Sequence, residues 1–341
     1  MKSTAVSSPR FFPLRLALLT LCLIATPVKS SLAQNEAKTP APVAAPAAGK
    51  AATGRSANDM RGGKPAQDAA ITTVVASHPV VYGLLEALTR DSAIASERAT
   101  PANLPASRHY SYLSGRGAKS FDRAVRNADA VVHLRSIWPD DPLYPFARKH
   151  NIRIVEIDAA NPVDHALPGI AATEQTNTAA AYPWLSPVNM GRMADIIASD
   201  IQRLEPDAKD TVETNLAALR QRLVALNAEV ESALVNAPNL SVVVISPRLH
   251  TLAAAFNLDV VPVPDQSKWD TQALAALGKT IKDNDVPVVL LHEAATPDLA
   301  AAITQAGAKA VVVETDGNDP LEALEVAAKS LARAMADGGE H

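Results

Sequence analysis

Cysteine is almost missing from this chain: its 341 residues include one, Cys22. That residue falls in an apolar stretch near the N-terminus, so everything after it lacks a thiol, a disulfide or a cysteine-built metal site, even in an oxidising compartment. Aromatic residues are also scarce, at 4% with three tryptophans. An excess of either charge is missing as well. The 32 Lys and Arg against 36 Asp and Glu leave a formal charge of −4, which removes the basic surplus of a nucleic-acid binder and names no charged partner. No apolar run reaches the roughly 20 residues needed to span a bilayer. Enzyme signatures fail in the same way. "GRGAKS" lacks the adjacent Gly-Lys of a phosphate loop and does not directly follow a buried strand. No GxGxxG follows a strand, and neither a GxSxG elbow nor HExxH occurs. Catalysis has no positive signal; the expectation is a protein that is not an enzyme and carries no organic cofactor.

What is present begins with export. "MKSTAVSSPRFFPLR" carries three positive side chains, and "LALLTLCLIA" and "TPVKSSLAQN" follow it. A basic segment, a short apolar core and small residues at Ser31 and Ala33 read as a secretory signal peptide over 1–33, cleaved after Ala33. Leu21 before the cysteine and the nearness of Arg15 argue against a lipid anchor at Cys22. A periplasmic location is expected. Residues 34–70, rich in Ala, Pro and Gly without apolar period, read as a disordered tether.

From Ile71 short β-branched runs alternate with amphipathic segments. "ITTVVAS", "AIASERA", "DAVVHL" and "IRIVEID" are expected strands, and "PVVYGLLEALTR", "AKSFDRAVRNA" and "DPLYPFARKHN" the helices between them. Such alternation predicts a mostly parallel sheet covered by helices, because parallel neighbours need crossovers. The same rhythm returns at 239, with "LSVVVIS", "LDVVPV", "VPVVLLHE" and "AKAVVVET" as strands. Between the two series, Val212, Leu216, Leu219, Leu223, Leu226, Val230 and Leu234 recur at helical spacing. The fold class is therefore α/β, with two lobes, each a mostly parallel sheet flanked by helices, joined by a long bracing helix. The lobes are expected at 71–185 and 239–341, with linking helices over 186–238. Here "YPWLSPVN" packs two prolines around a tryptophan and leads stiffly into a helix.

Ligands of open α/β sheets bind beyond the carboxyl ends of the strands, so the residues after each apolar run are the candidates. His78 follows the first strand, His109 lies in the loop after the second, and His133 ends the third. Ser246, His292, Glu293 and Asp316 hold the corresponding places in the second series. Imidazole and carboxylate donors suit zinc or a neighbouring divalent ion. Each has a plainer reading: His78 beside a helix start, His109 on the surface, His133 buried, Asp316 shaping a turn. His292 and Glu293 are adjacent and in extended chain face opposite ways, so both could ligate only if the loop turns there. His150, His165 and His250 are expected to be structural or solvent-facing.

"VVASHPVVYGLLEAL", "RHYSYLSGRGAKSFDRAVRNADAVVHL", "PWLSPVNMGRMADIIASDIQRLEPDAKDTVETNLAALRQRL" and "ETDGNDPLEAL" together resemble the periplasmic solute-binding receptors of metal ABC importers, the zinc and manganese class called ZnuA/TroA-like. The resemblance covers residues 71 to 337 and takes the Trp-Leu-Ser-Pro segment as the start of the bracing helix. It implies a receptor that gathers a divalent metal, zinc or else manganese or iron, between its lobes and delivers it to an importer permease. It places the family's ligand positions on His109, Tyr182, Ser246 and Asp316, with Glu293 near a further acid. Tyr182 and Ser246 depart from the usual imidazoles, so His78, His292 or Glu293 would have to substitute, or the cargo is a metal chelate or another small ligand. An exported α/β enzyme or a metal chaperone is the alternative class. A monomer is expected.

Overall fold

In the computed structural model, the described residues are 71–164, 167–170, 182–264 and 268–337. The expected signal peptide and tether, and His165, lie outside them. The first lobe runs β1 (Thr72–Ala76), α1 (Pro79–Thr89), β2 (Ile94–Arg98), α2 (His109–Ser114), α3 (Ala118–Arg126), β3 (Ala130–His133), α4 (Leu143–His150) and β4 (Val155–Asp158). Helices α5 (Pro187–Leu204) and α6 (Lys209–Leu234) follow. The second lobe adds β5 (Ser241–Val244), α7 (His250–Ala255), β6 (Asp259–Val261), α8 (Thr271–Asp283), β7 (Val288–Leu291), α9 (Pro297–Gln305), β8 (Lys309–Val312) and α10 (Pro320–Ala336).

Both sheets are wholly parallel and share one topology, β2-β1-β3-β4 and β6-β5-β7-β8. Central strands are covered on both faces: Val74, Val75, Ala76, Val131, Val132, Val288 and Val289 are fully buried, which is why they read as unbroken apolar runs. In each sheet the chain steps to one side of the first strand and then to the other. The strand order therefore reverses between β1 and β3, and again between β5 and β7. Loops diverge from such a point and leave a crevice at the strand tips.

The main core runs through both lobes without a break, from Val74 and Val132 through Met193, Ile197, Leu219 and Leu223 to Val242, Leu290 and Leu331. Smaller clusters sit on the outer side of each sheet, around Phe121 and Leu143 in one lobe and Leu277 and Ile303 in the other. All seven of the periodic apolar residues of α6 are buried. At 1.5 Å per residue this helix is about 39 Å long. Asn215 on its first half donates to the carbonyls of Leu88 (3.0 Å) and Arg90 (2.8 Å) at the end of α1. On its later part Arg222 and Glu229 pair with Glu325 and Lys329 of α10, at 3.1 and 3.0 Å. One helix thus grips both lobes.

Two expectations need correction. The Trp-Leu-Ser-Pro segment does not open the long helix; it opens α5, and Pro206 separates α5 from α6 by ending the hydrogen-bond ladder between them. His109 does not lie in a loop. Pro105 starts a 3₁₀ turn over Ala106–Arg108 that runs directly into α2, anchored by buried Leu113, and His109 is the first residue of that helix.

Candidate functional site

The stiff lead-in at Tyr182 has a local cause. Pro183 opens a 3₁₀ turn, Ser186 caps α5 by accepting from Asn189 N at 3.4 Å, Pro187 takes the first helical position, and Asn189 returns a bond to the Pro183 carbonyl at 3.1 Å. This fixes Trp184 between the lobes. Its indole lies edge-on to His78, with ring centroids 4.8 Å apart, and its Nε1 donates to the Thr315 carbonyl at 3.2 Å. Segments that follow β1 and β8 therefore meet on one side chain.

On the first-lobe side, His78 is the N-cap of α1 and accepts from Val80 N through Nδ1 at 3.3 Å, so its proton belongs on Nε2. It also lies 5.7 Å from the Trp138 ring, in the loop after β3. His78 and Trp138 thus flank the first switch point. His109 Nε2 is 3.3 Å from the Leu104 carbonyl, which can only accept. The proton therefore sits on Nε2 and leaves the Nδ1 lone pair open. Burial depresses both imidazoles, His78 to about 3, helped by His109 and Arg98, and His109 to about 4, where burial outweighs the Leu104 bond. Both are neutral at physiological pH.

On the second-lobe side, Tyr182 packs at a tilt against Trp184 with centroids 4.4 Å apart, and the Arg248 guanidinium lies over the Tyr182 ring at 5.1 Å. Arg248 Nη1 is 3.9 Å from Asp316 Oδ2, which also accepts from Thr315 Oγ1 at 3.3 Å. Burial raises the Asp316 carboxyl, opposed by Arg248, Thr315 and His292. Burial and Asp316 push the Tyr182 phenol above its ordinary 10, opposed by Arg248. Arg248 follows β5 and His292 follows β7, so these two flank the second switch point.

Among the described residues the buried polar side-chain atoms with no hydrogen-bond partner are Ser77 Oγ, Arg98 Nε, His109 Nδ1, Asp200 Oδ2 and Asp316 Oδ1. All but Asp200 come from strand ends or the segments just after them. Buried polar atoms are nearly always paired, so these atoms keep bonding capacity that the surrounding protein does not use. Arg98 adds a further tie, donating from Nη1 to Asn318 Oδ1 at 2.8 Å.

The other candidates are placed differently. His133 is buried, 3.0 Å from Glu156 through Nε2, and accepts from Arg135 N through Nδ1 at 3.0 Å, which occupies the ring structurally. His292 and Glu293 do not face apart, because the chain bends at both and brings Nε2 and Oε1 to 3.4 Å. They line a hollow of about 630 Å³ with Glu314, Asp319 and Glu322, and the Glu293 side chain is exposed. Ser246 is buried at the start of a 3₁₀ turn. His150 pairs with Asp122 at 2.8 Å, and His250 begins α7. Among the described residues no group of three or more His, Cys, Asp or Glu lies close enough together to hold a metal ion. Sequence reasoning missed Trp138, Arg98 and Arg248. A search of strand tips for charged groups of either sign, not only for metal donors, would have found the two arginines.

Two parallel-sheet lobes with diverging strand-tip loops, locked together by a shared core and a long helix, define the bilobal α/β solute-receptor class. The chain belongs to the family described as zinc-uptake complex component A, periplasmic, whose pattern matches residues 120–337, and so to a family of metal-binding solute receptors. It is 30% identical over 147 residues to the zinc-binding lipoprotein AdcA of Streptococcus pneumoniae, a stretch covering 42% of this chain and 28% of that protein. The match thus spans well under a third of that relative's length. The fold is similar to a crystal structure of ZnuA (TM-score 0.58, 23% identity, 77% of this chain and 99% of the other). It is also similar to the metal-dependent lipoprotein YcdH of Bacillus subtilis (TM-score 0.61, 19% identity, 78% and 99%). At these identities the structures speak to the fold. Among the described residues no helix is long and apolar enough to cross a membrane.

Proposed function

We propose that this chain is an exported receptor that captures a divalent metal, zinc ahead of manganese or iron, at the junction of its lobes and hands it to the permease of an ABC importer. It binds its cargo without turnover, as a monomer. Residues 1–33 serve as signal peptide and 34–70 as tether, ahead of lobes at 71–185 and 239–341 and linking helices at 186–238. The observation that carries the reading is the pair of open donors, His109 Nδ1 from one lobe and Asp316 Oδ1 from the other, both buried and unpartnered. A ligating histidine commonly gives its other ring N–H to a backbone carbonyl, as His109 does to Leu104. Neutral imidazole is the metal-binding form, and burial keeps it so. His292, within electrostatic reach of Asp316, and Glu293, 3.4 Å from His292, are the second-lobe donors next in line. Tyr182 would have to lose a proton that its surroundings hold on to, and His78 would have to give up its cap.

Elemental analysis of protein purified without chelator tests the reading. We expect about one equivalent of a divalent transition metal in the native chain, a strong loss in His109→Ala and Asp316→Ala, and a smaller loss in Glu293→Ala. A metal-free native chain that takes up no zinc, manganese or iron on titration would end it.

A further inference from the structure

The junction sets a permanent cation beside its best carboxylate. Arg248 cannot be deprotonated at any physiological pH; its guanidinium is 3.9 Å from Asp316 and 5.1 Å from the Tyr182 ring centroid. A bare divalent ion reaching Asp316 meets that charge at close range and loses part of the carboxylate's attraction. The donor count points the same way. Zinc is held by about four ligands, whereas the open buried donors here are His109 Nδ1 and Asp316 Oδ1, and no cluster of three or more ligating side chains occurs among the described residues. A carboxylate ligand arriving with the metal would supply oxygens that these two donors do not. The Arg248 side chain is 38% exposed, so its planar fork remains open to an incoming oxyanion, a geometry suited to carboxylates.

We propose that Arg248 sets the specificity of this junction, weakening its hold on the bare ion and favouring a divalent metal already wrapped by an anionic carboxylate ligand, whose free oxygens pair with the guanidinium while His109 and Asp316 complete the coordination. This rests on the metal-receptor reading above. In the bound state two opposed relations reverse. The anion neutralises Arg248, and the metal takes over Asp316, so each component removes the obstacle to the other.

The test is calorimetric titration of the mature chain with zinc chloride and, separately, with zinc precomplexed by citrate in excess. The native chain is expected to bind the citrate complex at least tenfold more tightly than zinc alone. Arg248→Ala should reverse that order, gaining at least tenfold for bare zinc while losing the complex, and Arg248→Lys should stay closer to the native chain because it retains the charge. The gain for bare zinc guards against misfolding as an explanation, since a damaged chain would lose both. Native protein that prefers bare zinc, with Arg248→Ala unchanged or weaker, overturns the role of Arg248 and leaves the metal receptor standing. Failure of every variant to bind either species overturns both.

Discussion

The imidazole of His78 stands edge-on to the indole of Trp184, with planes inclined at 64° and centroids 4.8 Å apart. This contact joins the tip of the first strand to the segment that enters α5. It also explains why a histidine is the helix cap here. The ring nitrogen satisfies Val80 N while the ring itself fills space against two tryptophans, which a Ser or Asp cap would leave open.

Such burial makes stability depend on pH. An imidazole in the unfolded chain titrates near 6.5, whereas in the folded protein His78 and His109 do so at about 3 and about 4. Between these values the unfolded chain takes up protons that the folded chain refuses, so the stabilising contribution is complete above pH 6.5 and is lost as pH falls. Each ring removes about 1.4 kcal/mol per pH unit, hence up to about 2 kcal/mol at pH 5. His78→Asn keeps a capping side chain and removes the titration. Its urea-unfolding free energy should fall less from pH 7 to pH 5 than that of the native chain, by up to about 2 kcal/mol. Equal falls would show that His78 is not held neutral by the fold.

Trp184 divides into two separable contributions. Trp184→Phe keeps most of the buried ring but loses the bond to the Thr315 carbonyl, with an expected cost of about 1–3 kcal/mol. Trp184→Ala should cost about 3–5 kcal/mol because it also opens a cavity between the lobes. Chemical denaturation of both variants at pH 7 measures the difference, and near-equal losses would mean that the hydrogen bond, not the ring, fixes the junction.

Much of this architecture was legible because it is written in local periodicity. The seven apolar positions of α6 recur at helical spacing, and all are buried; the apolar runs at 72–76 and 288–291 are strands, buried on both sides over 74–76 and 288–291. Helix α2 escaped because six residues, "HYSYLS", are too few to display a period and carry polar and aromatic side chains that also suit a loop. The bend that turns His292 onto Glu293 lacks a glycine or proline to announce it. The junction was legible only in part. Strand tips could be located, and with them His78 and Asp316, but the pairing of Trp184 with Thr315 spans 131 positions and leaves no local trace. Arg248 lies two residues past the strand-tip serine, and a search for metal donors passes over a guanidinium.

The face of α6 gives a prediction from neighbours in sequence. Leu223 is buried, whereas adjacent Val224 is 69% exposed. Leu223→Ala should destabilise by about 2–5 kcal/mol, while Val224→Ala stays within about 0.5 kcal/mol of the native chain. Urea midpoints for the two variants decide it. Comparable effects would indicate that the helix does not hold this face against α5.

The two lobes approach closely at Gly83, in the middle of α1. A Cβ built there would collide with the Pro320 ring at the start of α10 and lie 3.0 Å from the Asn318 carbonyl. On helix propensity alone, Gly83→Ala should stabilise by about 1 kcal/mol. The contact predicts the opposite sign, a loss of about 1–3 kcal/mol from overpacking. Pro320→Ala removes the opposing ring, so the double variant Gly83→Ala with Pro320→Ala should be more stable than the sum of the two single changes, a coupling readable by denaturation. The same contact bears on how the receptor moves. Two lobes that pack a helix glycine against a proline ring, share one core and are gripped by α6 have little room for wide hinge closure, which leaves the strand-tip loops as the parts free to rearrange. If Gly83→Ala instead stabilises the protein as an open helical site would, the lobes are not locked there and that constraint on their motion falls.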